Sequence, residues 1–530
     1  MLQTTRSYNG MVVAPHHLAA EAGLSVLRDG GNAIEAMIAA ASTIAVVYPH
    51  MNGLGGDGFW LIGKAGSRPI GIRACGRAAA GVSRDWYERT GLTSIPSRGP
   101  LSAITVAGTV AGWDKAHYLS RAQYGGRLQM SRLLQDAIRY AWEGIAVPHT
   151  LHANAKKKLG ELRDIPGFAE TYLVNGEPLA VGSRFRQPQL AETLTRLTRA
   201  GLADFYQGEI AHSLAADLEK VGSPIRLEDL QRHEAVEVEP LSVDVAGHTV
   251  FNLPPPTQGL ASLLILALYG RNPAGEADAP DHIHRLVEAT KAAFRIRNSH
   301  VTDPDYMKVS PEPFLDAGAI ETLGAGLSAD RATPWPDASK PGDTVWLAAT
   351  DRNGLSVSFI QSIYWEFGSG VVLPGTGITW QNRGMSFDLD ADGPNALEPG
   401  RLPFHTIQPA MAELRDGRFM AYGTMGGEGQ PQTQAAIFSR HVLHGQDLQS
   451  AVTGPRWLLG RTWGEESTNL KIENRFDAEV IENLRARGHD IQVVGAFEEM
   501  MGHAGAIVRH PSGLLEGACD PRSDGAVAAR

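Results

Sequence analysis

The sequence predicts an α+β fold in which two sheets lie between helical layers, with both parts of the chain contributing to one core. Three observations predict it. Residues 100–340 carry mainly the 3.6-residue apolar periodicity of helices, and the last third carries short β-branched and aromatic runs. Those runs are punctuated by turn signals at Asn353-Gly354, Asp416-Gly417 and Pro511-Ser512-Gly513. No internal repeat or low-complexity segment subdivides the 530 residues.

The elements follow in order. His16 to Asp29 has helical spacing and stops at Gly30-Gly31, a C-terminal signal. Asn32, with Glu35 three residues on, is an Asx version of a capping box that opens a helix from Ala33 to about Val47. That helix is almost wholly apolar and is expected to be buried. In the loop from Pro49 to Phe59, Gly53, Gly55 and Gly58 satisfy G-x-G-x-x-G. A dinucleotide fingerprint follows a strand and opens a helix, whereas here a helix precedes and an apolar strand follows. The glycines therefore predict close backbone packing near a ligand rather than nucleotide binding. Helices are expected from Ser131 to Glu143, Gln189 to Ala200, Leu260 to Tyr269 and Asp281 to Arg297. After Asp343, strands are expected from Thr344 to Asp351, Leu355 to Ile363, Met411 to Leu414, Arg418 to Tyr422, Ile491 to Val494, Ala506 to Arg509 and Leu514 to Ala518. A helix from Asp477 to Gly488 interrupts them.

Composition narrows the function classes. Hydrophobic content of 43% and charged content of 20% are ordinary for a globular protein. A net charge of −10, with no Lys/Arg-rich block, argues against nucleic acid as partner. Cys75 and Cys519 are too few for a disulfide framework, and H-E-x-x-H and C-x-x-C are absent, so no metal is expected. Met1 to Asn9 has no apolar signal core, and the longest apolar run, Leu260 to Tyr269, is far short of a membrane span. A soluble, cytoplasmic protein without a membrane partner is the expectation.

The chemistry centres on Pro341-Gly342-Asp343-Thr344. A Thr that opens a strand in mid-chain after such a lead-in suits an enzyme that cuts its own chain there. The freed residue then supplies a hydroxyl nucleophile and an α-amino base of pKa about 7.7–8.0. The same pattern also fits an ordinary strand start. Gly426-Gly427, beyond the strand ending near Tyr422, can present two N–H groups to an oxyanion, or form a simple turn. Arg98, in Ser97-Arg98-Gly99-Pro100, can clamp a carboxylate from a polar loop.

Six segments carry a resemblance. Gly30-Gly31-Asn32-Ala33, the glycine loop from Pro49 to Phe59, Val106 to Trp113, Phe367-Gly368-Ser369-Gly370, Gly426-Gly427 and Asp520 to Gly525 together resemble the γ-glutamyltranspeptidase family, collinearly over essentially the whole chain. The resemblance implies an N-terminal-nucleophile (Ntn) hydrolase with a four-layer αββα sandwich and no cofactor, made as a proenzyme. Cleavage between Asp343 and Thr344 would give a helix-rich subunit, 1–343, and a strand-rich catalytic subunit, 344–530. The two would stay associated as one structural unit, which could itself dimerise.

By position, Thr344 is the implied nucleophile, Ser362 the supporting hydroxyl, Gly426 and Gly427 the oxyanion pair and Arg98 the carboxylate clamp. Where the family holds a substrate ammonium, this chain has Tyr364, Arg383 and Ser386, and His405-Thr406 replace a pair of serines. Arg383 cannot accept a hydrogen bond and adds a like charge. The pattern is closer to the transpeptidase-like, oxamate amidohydrolase branch. It implies hydrolysis of a small amide bearing a free carboxylate, with oxamate leading. The alternatives are a γ-glutamyl hydrolase or transferase acting on glutathione, and an inactive binding protein of the same fold.

Overall fold

The computed structural model describes residues 3–335, 343–460 and 467–530. Two seven-stranded antiparallel sheets form its centre. The first runs in the order Ala526–Ala529, Gly10–Ala14, Asp343–Asp351, Ser356–Tyr364, Asp57–Gly63, Ile70–Ala74 and Val236–Val238. The second runs Thr5–Ser7, Leu515–Cys519, Ala504–Arg509, Phe419–Thr424, Ala410–Glu413, His248–Asn252 and Leu241–Val245.

Strand periodicity assigns the layers. In Asp343–Asp351, Trp346 and Ala348 face inward with Phe59, Met411, Phe419 and Ile507, forming the seam between the sheets. Val345, Leu347 and Ala349 face outward, under a layer that includes the helices His17–Arg28, Ala33–Val47 and Thr109–Gln123. Gly259–Gly270, Pro280–His300 and Gly429–Phe438 cover the second sheet in the same way. The architecture is the expected αββα sandwich.

Local chemistry explains the elements nearest the centre. The capping box forms: Asn32 Oδ1 accepts from the Ile34 and Glu35 amides, and Glu35 Oε2 accepts from Asn32 N. Asp351 shapes the following hairpin, its Oδ1 accepting from the Asn353 and Leu355 amides. Its Oδ2 accepts from Ala33 N at 3.2 Å and ties the hairpin to the buried helix.

Residues 100–340 are less uniformly helical than their periodicity predicts. Val236–Val238, Leu241–Val245 and His248–Asn252 are strands that finish the edges of the two sheets. Gly10–Ala14, unread in the sequence, pairs beside Asp343–Asp351. The helix expected from Ser131 to Glu143 is two, Met130–Leu133 and Gln135–Glu143. No helix among the described residues is long and apolar enough to cross a membrane.

Candidate active site

Thr344 is fully buried near the start of its strand. Asp343 lies opposite Tyr364 and Val345 opposite Gln361, so Ser362 and Ile363 together face the single residue Thr344. This is a β-bulge, a device that re-aims side chains. Here it turns the two hydroxyls toward each other: Thr344 Oγ1 donates to Ser362 Oγ at 3.2 Å, and Ser362 Oγ accepts from Tyr364 N at 2.8 Å. The Pro341-Gly342 lead-in lies outside the described residues.

The glycine loop supports this bulge. A Cβ on Gly56 would lie 2.1 Å from the Ser362 carbonyl oxygen, so only glycine allows that approach. Of the three G-x-G-x-x-G glycines, Gly55 packs against backbone in the same way, a Cβ there meeting the Thr379 carbonyl oxygen.

Tyr364 closes the bulge with φ of 82°, a left-handed conformation rare for an aromatic residue. Its ring carries the Arg383 guanidinium 4.0 Å from the ring centroid. Arg383 is fully buried, and among the described residues none of its three guanidinium nitrogens has a hydrogen-bond partner. Leaving a buried charge so exposed to desolvation is costly, and an incoming anion would offset that cost. Ser386 is buried beside the Tyr364 phenol.

His405 is also fully buried, and among the described residues neither ring nitrogen has a hydrogen-bond partner. Burial first, then Arg383 and Arg73, hold its imidazole well below the usual range. Its Nε2 lies 3.8 Å from Asp57 Oδ2. The Thr406 hydroxyl is buried without a partner, while its carbonyl accepts from Gln258 Nε2 at 2.6 Å.

Gly426 and Gly427 have φ of 114° and 53°, conformations that favour glycine. Among the described residues neither N–H donates to the backbone, and both peptide planes are pinned. Thr424 Oγ1 donates to the Met425 carbonyl at 2.7 Å, fixing the plane that contains the Gly426 N–H. Gly429 N donates to the Gly426 carbonyl at 2.8 Å, fixing the plane that contains the Gly427 N–H. The next carbonyl, of Gly427, accepts from Gln258 Nε2 at 2.8 Å. Gln258 Oε1 accepts from Arg297, which also reaches Glu428 at 2.8 Å. Two N–H groups on fixed peptide planes can serve to stabilise a tetrahedral oxyanion.

Arg98 lies in a loop, as expected, and is buried there, its Nη1 donating to the carbonyls of Glu366 at 2.7 Å and Gly368 at 2.6 Å. Nε donates to Glu161, and the guanidinium lies over Trp365. Arg98 thus holds the turn that follows Tyr364; among the described residues its Nη2 has no hydrogen bond and lies 4.0 Å from Glu366 Oε2.

Asp57, Gln258, Arg297 and Glu428 were not singled out by the sequence. Asp57 opens the strand beneath the bulge, inside the glycine loop. A carboxylate set among glycines at the start of an apolar strand was the available signal. A separate cluster, His284, Glu288 and His489, has metal-ligand composition but is internally satisfied. His284 Nδ1 bonds His489 Nε2 at 2.8 Å, and Glu288 accepts from Lys291 Nζ at 2.7 Å and from Thr333 N at 3.0 Å.

The family model for gamma-glutamyltranspeptidase matches residues 19–530. The chain is 55% identical over 523 residues to the oxamate amidohydrolase proenzyme of Klebsiella pneumoniae, covering 98% of both chains. It is 39% identical over 520 residues to the glutathione hydrolase-like YwrD proenzyme of Bacillus subtilis, again covering 98% of both. The crystal structure of cephalosporin acylase from Bacillus halodurans matches 100% of this chain and 97% of that one, with a TM-score of 0.91 and 34% identity.

Proposed function

The chain belongs to the gamma-glutamyltranspeptidase family, as an Ntn-type amidohydrolase made as a proenzyme, and from that premise we propose that it hydrolyses a small amide bearing a free carboxylate, oxamate to oxalate and ammonia. One observation carries the choice of substrate: the buried guanidinium of Arg383 has no hydrogen-bond partner and lies on Tyr364, the residue that closes the bulge around Thr344. A carboxylate adjoining the scissile amide would supply what that cation lacks. The name of the 55% identical relative supports the same substrate.

The proposed chemistry has two stages. In maturation, Thr344 Oγ1 attacks the Asp343 carbonyl carbon, the C–N bond breaks to free the Thr344 amine, and water hydrolyses the resulting ester. The products are subunits 1–343 and 344–530. Their association follows from the interleaved sheets: Gly10–Ala14 and Asp57–Gly63 flank the two strands of the 344–530 part that carry Thr344 and Ser362.

In turnover, the same oxygen attacks the substrate amide carbon while the Thr344 amine takes its proton and passes it to the leaving ammonia. The N–H groups of Gly426 and Gly427 hold the oxyanion, and water then releases the acid. Arg383, with His405, Thr406, Ser386 and Tyr364 around it, is assigned to the acyl end. Arg98 acts by holding the turn beyond Tyr364.

A second reading, γ-glutamyl hydrolysis or transfer, is favoured by Asp57, whose Oδ2 has no hydrogen-bond partner and could receive an ammonium. Steady-state assay of oxamate, glutaryl amides and γ-glutamyl anilide separates the two. Oxamate preferred over γ-glutamyl anilide supports the first reading, and the reverse order supports the second.

A further inference from the structure

We propose that the acyl-carboxylate subsite takes its anion together with one proton, held between Asp57 and His405, so that Asp57 is a positioning residue that sets the charge Arg383 presents to substrate. The inference rests on the reading of Arg383 as the carboxylate-binding group.

The two oxygens of Asp57 live in different surroundings. Oδ1 accepts from Gly76 N and Gly108 N, both at 3.1 Å, and from Gln381 Nε2 at 3.3 Å. Oδ2 has no hydrogen-bond partner and points toward His405 Nε2, 3.8 Å away, on a ring whose two nitrogens are also unpartnered. Arg383 completes the group with three unpartnered nitrogens. All three side chains are fully buried, so no bulk water satisfies them. The other titratable neighbours are Arg73 from the adjoining strand Ile70–Ala74 and Cys75 just beyond its end, Asp303 near Cys75, and Tyr206. None of these hydrogen-bonds Oδ2.

An ionised Asp57 would neutralise Arg383 and repel a carboxylate placed beside it. A protonated Asp57 leaves Arg383 as a net cation and, on closing the 3.8 Å gap, can donate from Oδ2 to His405 Nε2, which leaves the ring proton of His405 on Nδ1. The electrostatics agree in direction. Burial pushes the Asp57 carboxyl up to about 7, against the opposing effects of Arg383, Gly76, Gln381 and Gly108.

The test is the pH dependence of KM and kcat between pH 6 and 9 for oxamate, with the neutral diamide oxamide as control, in the wild-type enzyme and in Asp57→Asn. Asparagine can keep the Oδ1 acceptor and imitates the protonated acid. Wild-type KM for oxamate should rise above about pH 7, approaching tenfold per pH unit, as the proton is lost. Asp57→Asn should abolish that rise and bind oxamate more tightly than wild type at pH 9, while KM for oxamide stays flat in both. An unchanged pH-dependent rise in Asp57→Asn, or a KM raised equally at every pH, overturns the inference and leaves the role of Arg383 standing. If wild type turns over no anionic amide at any pH, both fail. Should Asp57→Asn not accumulate as folded enzyme, calorimetry of oxalate binding to the wild-type enzyme in buffers of different ionisation enthalpy carries the test: uptake of about one proton at pH 8 is expected, and no uptake overturns the inference.

Discussion

The guanidinium of Arg383 lies 4.0 Å over the ring of Tyr364, and Tyr364 pays for that position with φ of 82° at the end of the strand beside Thr344. A strained backbone, a buried unpaired cation and a buried hydroxyl pair thus share one bulge. Strain and unsatisfied polarity of this kind are retained where function requires them.

Arg383→Met should separate binding from stability. Losing a charge-assisted contact to the substrate carboxylate costs roughly 1.5–3 kcal/mol, or about 10- to 150-fold in kcat/KM. The apolar side chain removes a buried charge with no hydrogen bonds, so Tm should hold or rise. Arg98→Ala should instead lower Tm, because it strips the buried carbonyls of Glu366 and Gly368 of their donor, at a cost of about 1–3 kcal/mol. Kinetics and calorimetry on the two variants check this. Equal loss of Tm in both would contradict the division of labour.

Much of this arrangement was legible in the sequence, for reasons that differ by element. The helix Ala33–Val47 was readable because its cap and its apolar run are local. Thr344, Ser362 and Gly426-Gly427 came from the family resemblance, because a Thr at a strand start or a Gly-Gly turn fits ordinary structure equally well. The strands Val236–Val238 and Leu241–Val245 alternate apolar residues with Glu237, Ser242 and Asp244, a period-two signal overridden by the helices around it. Asp57 was not readable as a site residue, since its partners Gly76, Gly108, Gln381 and His405 arrive from four other stretches of chain. The packing of Arg98 was not readable from its Ser-, Gly- and Pro-rich loop, because the carbonyls it holds, of Glu366 and Gly368, come from a distant stretch of chain.

Gly426→Ala should damage turnover strongly. At φ of 114° an alanine is strained, and the peptide planes that Thr424 and Gly429 fix would shift. Loss of one oxyanion donor corresponds to about 10²–10³ in kcat. Thr424→Val keeps the shape but removes the bond to Met425, so kcat should fall with KM nearly unchanged. A variant in which KM alone moves would count against the oxyanion assignment.

Stability should respond to pH through Glu499. Burial first, then the charges of Glu366 and Asp524, raise its carboxyl to about 8 against the opposing hydrogen bond from Asn154. The folded state holds a proton that the unfolded chain releases near 4.5. Its contribution is therefore full below that pH and is lost as pH rises toward 8. Glu499→Gln should equal wild type at pH 4 and exceed it at pH 8. The side chain is 25% exposed, so the gain is on the order of 1 kcal/mol. Denaturant midpoints at the two pH values read this out. A Glu499→Gln variant less stable at pH 8 than wild type would refute it.

The most direct measurement is the intact mass and N-terminal sequence of the purified protein beside its Thr344→Ala variant. Wild type should yield chains of 343 and 187 residues (530 − 343), the shorter beginning at Thr344, and should hydrolyse oxamate only once both are present. Thr344→Ala should remain one inactive chain of 530 residues, since the same hydroxyl drives maturation and turnover. A cut at any other bond, or an active enzyme that stays uncleaved, would contradict Thr344 as the N-terminal nucleophile.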